Sequence, residues 1–90
     1  MGKPRVTPTV HLNGSDGRTL AEGYRRAADS IRRAIEIHGE SAPHGRDYYP
    51  QGDDAYYAAA REHGERFDRL RAVMAELVDL WERVDAQVRP

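Results

Sequence analysis

The stretch PHGRDYYPQG, residues 43–52, gathers the side chains best suited to recognising a ligand. Arg46 carries a planar fork matched to phosphate, Tyr48 and Tyr49 offer stacking faces and hydroxyls, and His44, Asp47 and Gln51 add hydrogen-bonding groups. Gly45 and Gly52 permit close backbone approach. The inventory fits a nucleotide-derived small molecule. The competing reading is an ordered connector, with Tyr48 and Tyr49 covering the end of a hairpin and Arg46 paired to Asp47, Asp53 or Asp54. Connections this long between helices are uncommon and are often functional.

Acid–base chemistry has two candidate pairs, His44 with Asp47 and Glu62 with His63. Neither spacing is distinctive, there is no cysteine nucleophile, and Ser15 and Ser41 lie in no nucleophile motif. The run NGSDGR, residues 13–18, precedes a helix and can offer amides to an anion, but it lacks the P-loop pattern. The four histidines, His11, His38, His44 and His63, include no i, i+4 pair and have no thiolate partners, so no metal site and no cofactor are expected. The expectation is binding without catalysis. Tyr56, Tyr57 and His63 read as core or interface residues, with Tyr57 and Ala60 on the apolar side of their helix.

Two helices must carry the 43–52 stretch. Thr19-Leu20-Ala21-Glu22 is a capping box, which predicts a helix over 19–39, and Gly39 supplies its stop. Leu20, Tyr24, Ala27, Ala28, Ile31, Ile35 and His38 recur at intervals of three and four as one apolar stripe. Arg25, Arg26, Arg32 and Arg33 lie on the other face with Asp29 and Glu36 close enough to pair, so that face reads as solvated instead of phosphate-gripping. Asp53 and Asp54 are placed to cap a second helix over 53–88. Within it Phe67, Leu70, Met74, Leu77, Trp81, Val84 and Val88 form a heptad seam, widened by Val73, Val78 and Leu80. Gly64, in a helical run, suggests close backbone approach between helices.

Ahead of the helices, Pro4 and Pro8 exclude helix from the first ten residues. Thr9–Leu12 alternates as one short strand, closed by an Asn13-Gly14 turn. With no second strand in the chain, it must pair with another subunit or lie as an arm across a helix. The expected architecture is a single all-α domain over 1–90: an extended arm or strand and turn (1–18), helix one, a loop (40–52), and helix two.

The helices differ in length, about 30 Å against about 50 Å at 1.5 Å per residue. A tight antiparallel hairpin therefore leaves the C-terminal half of the second helix unpartnered, and a homo-oligomer, at least a dimer, is expected to cover Phe67, Leu70, Met74, Leu77, Trp81 and Val84. Ninety residues without cysteines bury a modest fraction of their surface, which points the same way. Fourteen basic and fifteen acidic residues are mixed along the chain, so a basic face for bulk nucleic acid is not expected. No apolar run spans a membrane and the N-terminus has no secretory h-region, so the expected location is the cytoplasm.

With VHLNG at 10–14, HGRDYYPQG at 44–52 and REHGERFDRLRAVMAELVDL at 61–80, the chain resembles a family of small phage and prophage proteins over nearly its whole length. That family usually has Asn-Gly-Arg-Asp where this chain has His44-Gly45-Arg46-Asp47. In architecture the chain is similar to phage anti-defence sponges, oligomeric helical hairpins that sequester nucleotide immune signals of the cyclic ADP-ribose or cyclic oligonucleotide type. The resemblance implies immune evasion inside the infected bacterial host, without turnover. It assigns Arg46 to phosphate, Tyr48 and Tyr49 to stacking, and His44, Asp47, Gln51 and Asn13 to ribose or base edges. Nanomolar capture needs about −12 kcal/mol, which one exposed loop cannot supply, so two subunits would have to enclose the ligand. The alternative is a protein-interaction or assembly module of a phage acting through the second helix; a hydrolase of such signals comes third.

Overall fold

The helical path begins at Asp-Gly-Arg-Thr. The Asp16 carboxylate accepts from the Thr19 backbone N–H at 2.9 Å and from the Thr19 hydroxyl at 3.0 Å. In the computed structural model, which describes residues 5–89, helix α1 therefore runs Gly17–Glu40, two residues ahead of the expected start. The capping box does not form. An ionised carboxylate is the better acceptor at the positive end of a helix dipole, and Glu22 turns instead to Arg25. Gly39 does not end the helix either. Ser41 does, its backbone N–H and hydroxyl both donating to the His38 carbonyl at 3.0 and 2.8 Å.

Helix α2 spans Asp53–Val88. Its N-cap is Gly52, at φ 97°, a left-handed conformation that L side chains adopt only with strain. Asp53 and Asp54 make no capping hydrogen bond; they sit in the first turn, where negative charge meets the helix dipole favourably. The connection between the helices folds into two 3₁₀ turns, Gly45–Asp47 and Tyr49–Gln51.

The pair is a helical hairpin, as expected, but its register is not. Val88 lies against Gly17 at the start of α1, and His38, near the end of α1, stacks on His63, ten residues into α2. The C-terminal half of α2 is therefore covered by α1. The unpaired stretch is the first turns of α2, because the connection climbs back along them instead of reversing abruptly: Tyr48 meets Tyr56 edge-on, ring centroids 6.4 Å apart. With that register, helix length gives no reason for a second subunit on the C-terminal half.

No strand forms among the described residues. Residues 5–11 run without regular structure beside the C-terminal half of α2, where Arg5 reaches Asp79 at 3.2 Å and Glu76 at 3.9 Å. The Gln87 side chain accepts from Val10 N–H and donates to the Pro8 carbonyl, each at 2.8 Å. The extended reading of Pro4 lies outside the described residues.

The core is thin. Among the described residues the buried side chains are Ala21, Ala28, Val84 and His63, with Val84 completely enclosed. Two helices in contact along one seam have no centre, so Tyr24, Ile31, Ile35, Leu70, Met74, Leu77 and Trp81 remain half-buried. Gly64 has open space where a Cβ would stand, so no neighbouring backbone approaches it. Three of the four arginines on the solvent face of α1 are salt-paired as expected, Arg25 with Glu22 and Asp29, Arg32 with Asp29 and Arg33 with Glu36, while Arg26 makes no ion pair among the described residues. Among the described residues no helix is long and apolar enough to cross a membrane.

Candidate functional site

The 43–52 stretch is built by short-range backbone bonds. Asp47 N–H donates to the His44 carbonyl at 3.0 Å, Tyr48 N–H to Gly45 at 2.9 Å and Gln51 N–H to Tyr48 at 2.9 Å. Gly52 N–H then reaches back to Tyr48 at 3.1 Å, and its left-handed turn releases the chain into α2. Tyr48 anchors the whole on Tyr56, which in turn lies 5.7 Å from Tyr57 by ring centroid.

This scaffold divides the sequence-predicted residues. Tyr48 is half-buried and structural. Tyr49, 75% exposed, and Arg46, His44, Asp47 and Gln51 all face solvent. The connector reading placed Arg46 in an ion pair with Asp47, Asp53 or Asp54; among the described residues none of these pairs forms, and the guanidinium stays available. Asn13 is exposed in the turn closed by Gly14 N–H on the His11 carbonyl, at the opposite end of the hairpin. One chain therefore cannot bring Asn13 to Arg46.

The connection presents Arg46, Tyr49 and Gln51 as exposed side chains. A cavity of about 210 Å³ lies at the far end between Arg18, Asp85, Val88 and Arg89, with Arg89 paired to Asp85 at 2.8 Å. Pockets that enclose drug-sized ligands run from about 300 to 1,000 Å³, so this one is too small for a dinucleotide.

The acid–base candidates separate in the same way. His44 is exposed, and Asp47 does not orient its ring. His63 faces the helix seam, with Phe67 and His38 against it, while Glu62 turns away to Arg66 at 4.0 Å. Burial, the neighbouring His38 and then Arg66 hold His63 below its ordinary pKa of 6.5. Tyr57, expected on the apolar side, is 65% exposed; Tyr56 takes the inward position. Among the described residues no three metal-ligating groups cluster.

Of the side chains expected at an oligomer interface, Val84 has no surface left, and Phe67 packs on His38 and His63 within the chain. Leu70, Met74, Leu77 and Trp81 keep part of their surface in solvent. The His38–His63 contact is not among the expected site features, although the heptad seam extended back from Phe67 by four residues reaches His63. Gln87 gave no such signal. No protein-family model matches the chain, and neither a curated protein nor a solved structure matches it.

Proposed function

We propose that this chain is a non-catalytic, self-associating helical-hairpin module that acts by binding, with at least a homodimer as its working form. Surface area carries the reading. A chain of 10.2 kDa exposes 6949 Å², whereas a folded monomer of that mass exposes about 5,300 Å² by the usual scaling. The difference of roughly 1,600 Å² is comparable in size to what one subunit loses in an obligate homodimer burying about 2,000–5,000 Å² in total. Leu70, Met74, Leu77 and Trp81, which keep a minor part of their surface in solvent, are the apolar side chains that association would finish covering. Unfolding tests this: a module stabilised by association shows a Tm that rises with protein concentration. A concentration-independent Tm contradicts it.

Taken with the resemblance to small phage and prophage proteins, the module reads as a phage accessory protein in the cytoplasm of an infected bacterial host, its helical surface engaging a host target or virion component. A second reading, sequestration of a nucleotide immune signal, is favoured by one observation: Arg46 and Tyr49 stand exposed on a connection fixed by its own backbone bonds. Because those side chains are exposed in one chain, a second subunit has to supply the enclosing wall. A thermal-shift screen with ADP-ribose derivatives and cyclic di- and trinucleotides separates the readings. Ligand at about 100 times its Kd adds about 2.7 kcal/mol to folded stability. A shift abolished by Arg46→Ala, with the oligomer intact, supports sequestration. No shift leaves the protein-binding surface as the function, and product accumulating beyond one equivalent of protein marks a hydrolase.

A further inference from the structure

At the closed end of the hairpin the two helices meet through imidazoles. His38 of α1 stacks on His63 of α2 with ring centroids 4.0 Å apart and planes 23° from parallel. Phe67 closes on both rings, its centroid 4.8 Å from His38 and 5.1 Å from His63. His38 Nε2 lies 3.2 Å from the backbone oxygen of His63. A carbonyl only accepts, so that nitrogen carries the proton. His63 Nε2 is buried and has no partner.

The charged groups around the pair offer no compensation for a proton. From α1 the facing titratable group is His38 itself. From α2 they are Arg66, held 4.0 Å from Glu62, and Arg71, whose guanidinium lies 5.3 Å above the Phe67 ring. The connection turns Arg46 and Asp47 outward. Among the described residues neither imidazole has a carboxylate partner. Two stacked rings can share this site while neutral; a charged ring there faces burial, an arginine and the other imidazole together.

We propose that the stacked His38–His63 pair is an acid-sensitive latch: protonation parts the rings, and the last turn of α1 lifts from α2 with the connection 41–52, while the end where Gly17 meets Val88 stays closed. The direction follows from linkage. The folded chain holds His63 below 6.5, the value it regains on opening, so the latch is fully effective above 6.5 and is lost as pH falls from there towards the folded value. The device is independent of what the module binds.

Amide exchange on the full chain, as protection factors at about pH 7.5 and about pH 5, tests it. Protection across 36–60 is lost at the lower pH, while 17–30 and 75–88 hold. In His63→Phe, which keeps a ring in the seam, the acid response disappears. Should that variant fail to fold, His38→Gln keeps a donor for the His63 carbonyl, and its acid response is reduced. A uniform loss of protection along both helices overturns the proposal, as does an acid response undiminished in the variant that folds.

Discussion

The Gln87 carboxamide holds the N–H of Val10 and the carbonyl of Pro8 at once, each at 2.8 Å. A residue on a neighbouring parallel strand would engage the same two groups, on either side of Thr9. One side chain thus satisfies a stretch of backbone that alternates like a strand and has no strand beside it. Gln87→Ala removes both bonds, at about 1–2 kcal/mol in total. The expected outcome is faster amide exchange at Val10 with both helices unchanged.

Gly17 is buried where three parts of the chain converge. A Cβ there would collide with Val88 and stand 2.9 Å from the Val10 Cγ1. Gly17→Ala is expected to destabilise by about 1–3 kcal/mol through overpacking. Val88→Ala in the same chain should recover part of the loss, and the double-mutant cycle measured by urea unfolding gives the coupling.

Gly64 presents the opposite case, a helical glycine with open space around its missing side chain. Gly64→Ala is expected to stabilise the chain by about 1 kcal/mol, the helix-propensity difference. A loss of stability would instead place another surface against Gly64.

Val84 is the one completely enclosed large side chain among the described residues, whereas Val73 is 42% exposed in the same helix. Val84→Ala should cost about 2 kcal/mol, from lost burial and the cavity left behind. Val73→Ala should stay within about 0.5 kcal/mol. Equal effects would refute the observed register.

Asp16 caps α1 as a carboxylate, and the Thr19 backbone N–H followed by the Thr19 hydroxyl holds its pKa below 3.8. Its contribution is present above 3.8 and is lost as pH falls from there through the lowered folded value. Wild type and Asp16→Ala should therefore differ in Tm at neutral pH and converge in acid.

The helices were legible because period and caps are local signals: the α1 stripe from Leu20 to His38 and the α2 seam from Phe67 to Val88 both lie where the spacing puts them. The register was not, because it depends on how the 41–52 connection folds. Counting it as a tight reversal frees the wrong end of α2, whereas the Tyr48–Tyr56 contact lays it along the first turns. The caps failed for two different reasons: at α1 the Asp16 carboxylate displaces Thr19 as acceptor, and at α2 Gly52, which has no side-chain acceptor, takes the N-cap position by its left-handed backbone. The candidate site was legible only as an inventory. Sequence brought Arg46, Tyr49 and Gln51 together on one connection, but it gave no means of seeing that Tyr48 turns inward or that Asn13 sits at the far end.

Sedimentation equilibrium of the full chain across the micromolar range tests self-association most directly. A self-associating chain has a mass at least twice 10.2 kDa, with Leu77→Glu and Trp81→Ala shifting the equilibrium towards single chains. A constant mass of 10.2 kDa at every concentration, with the helices intact by circular dichroism, would contradict it.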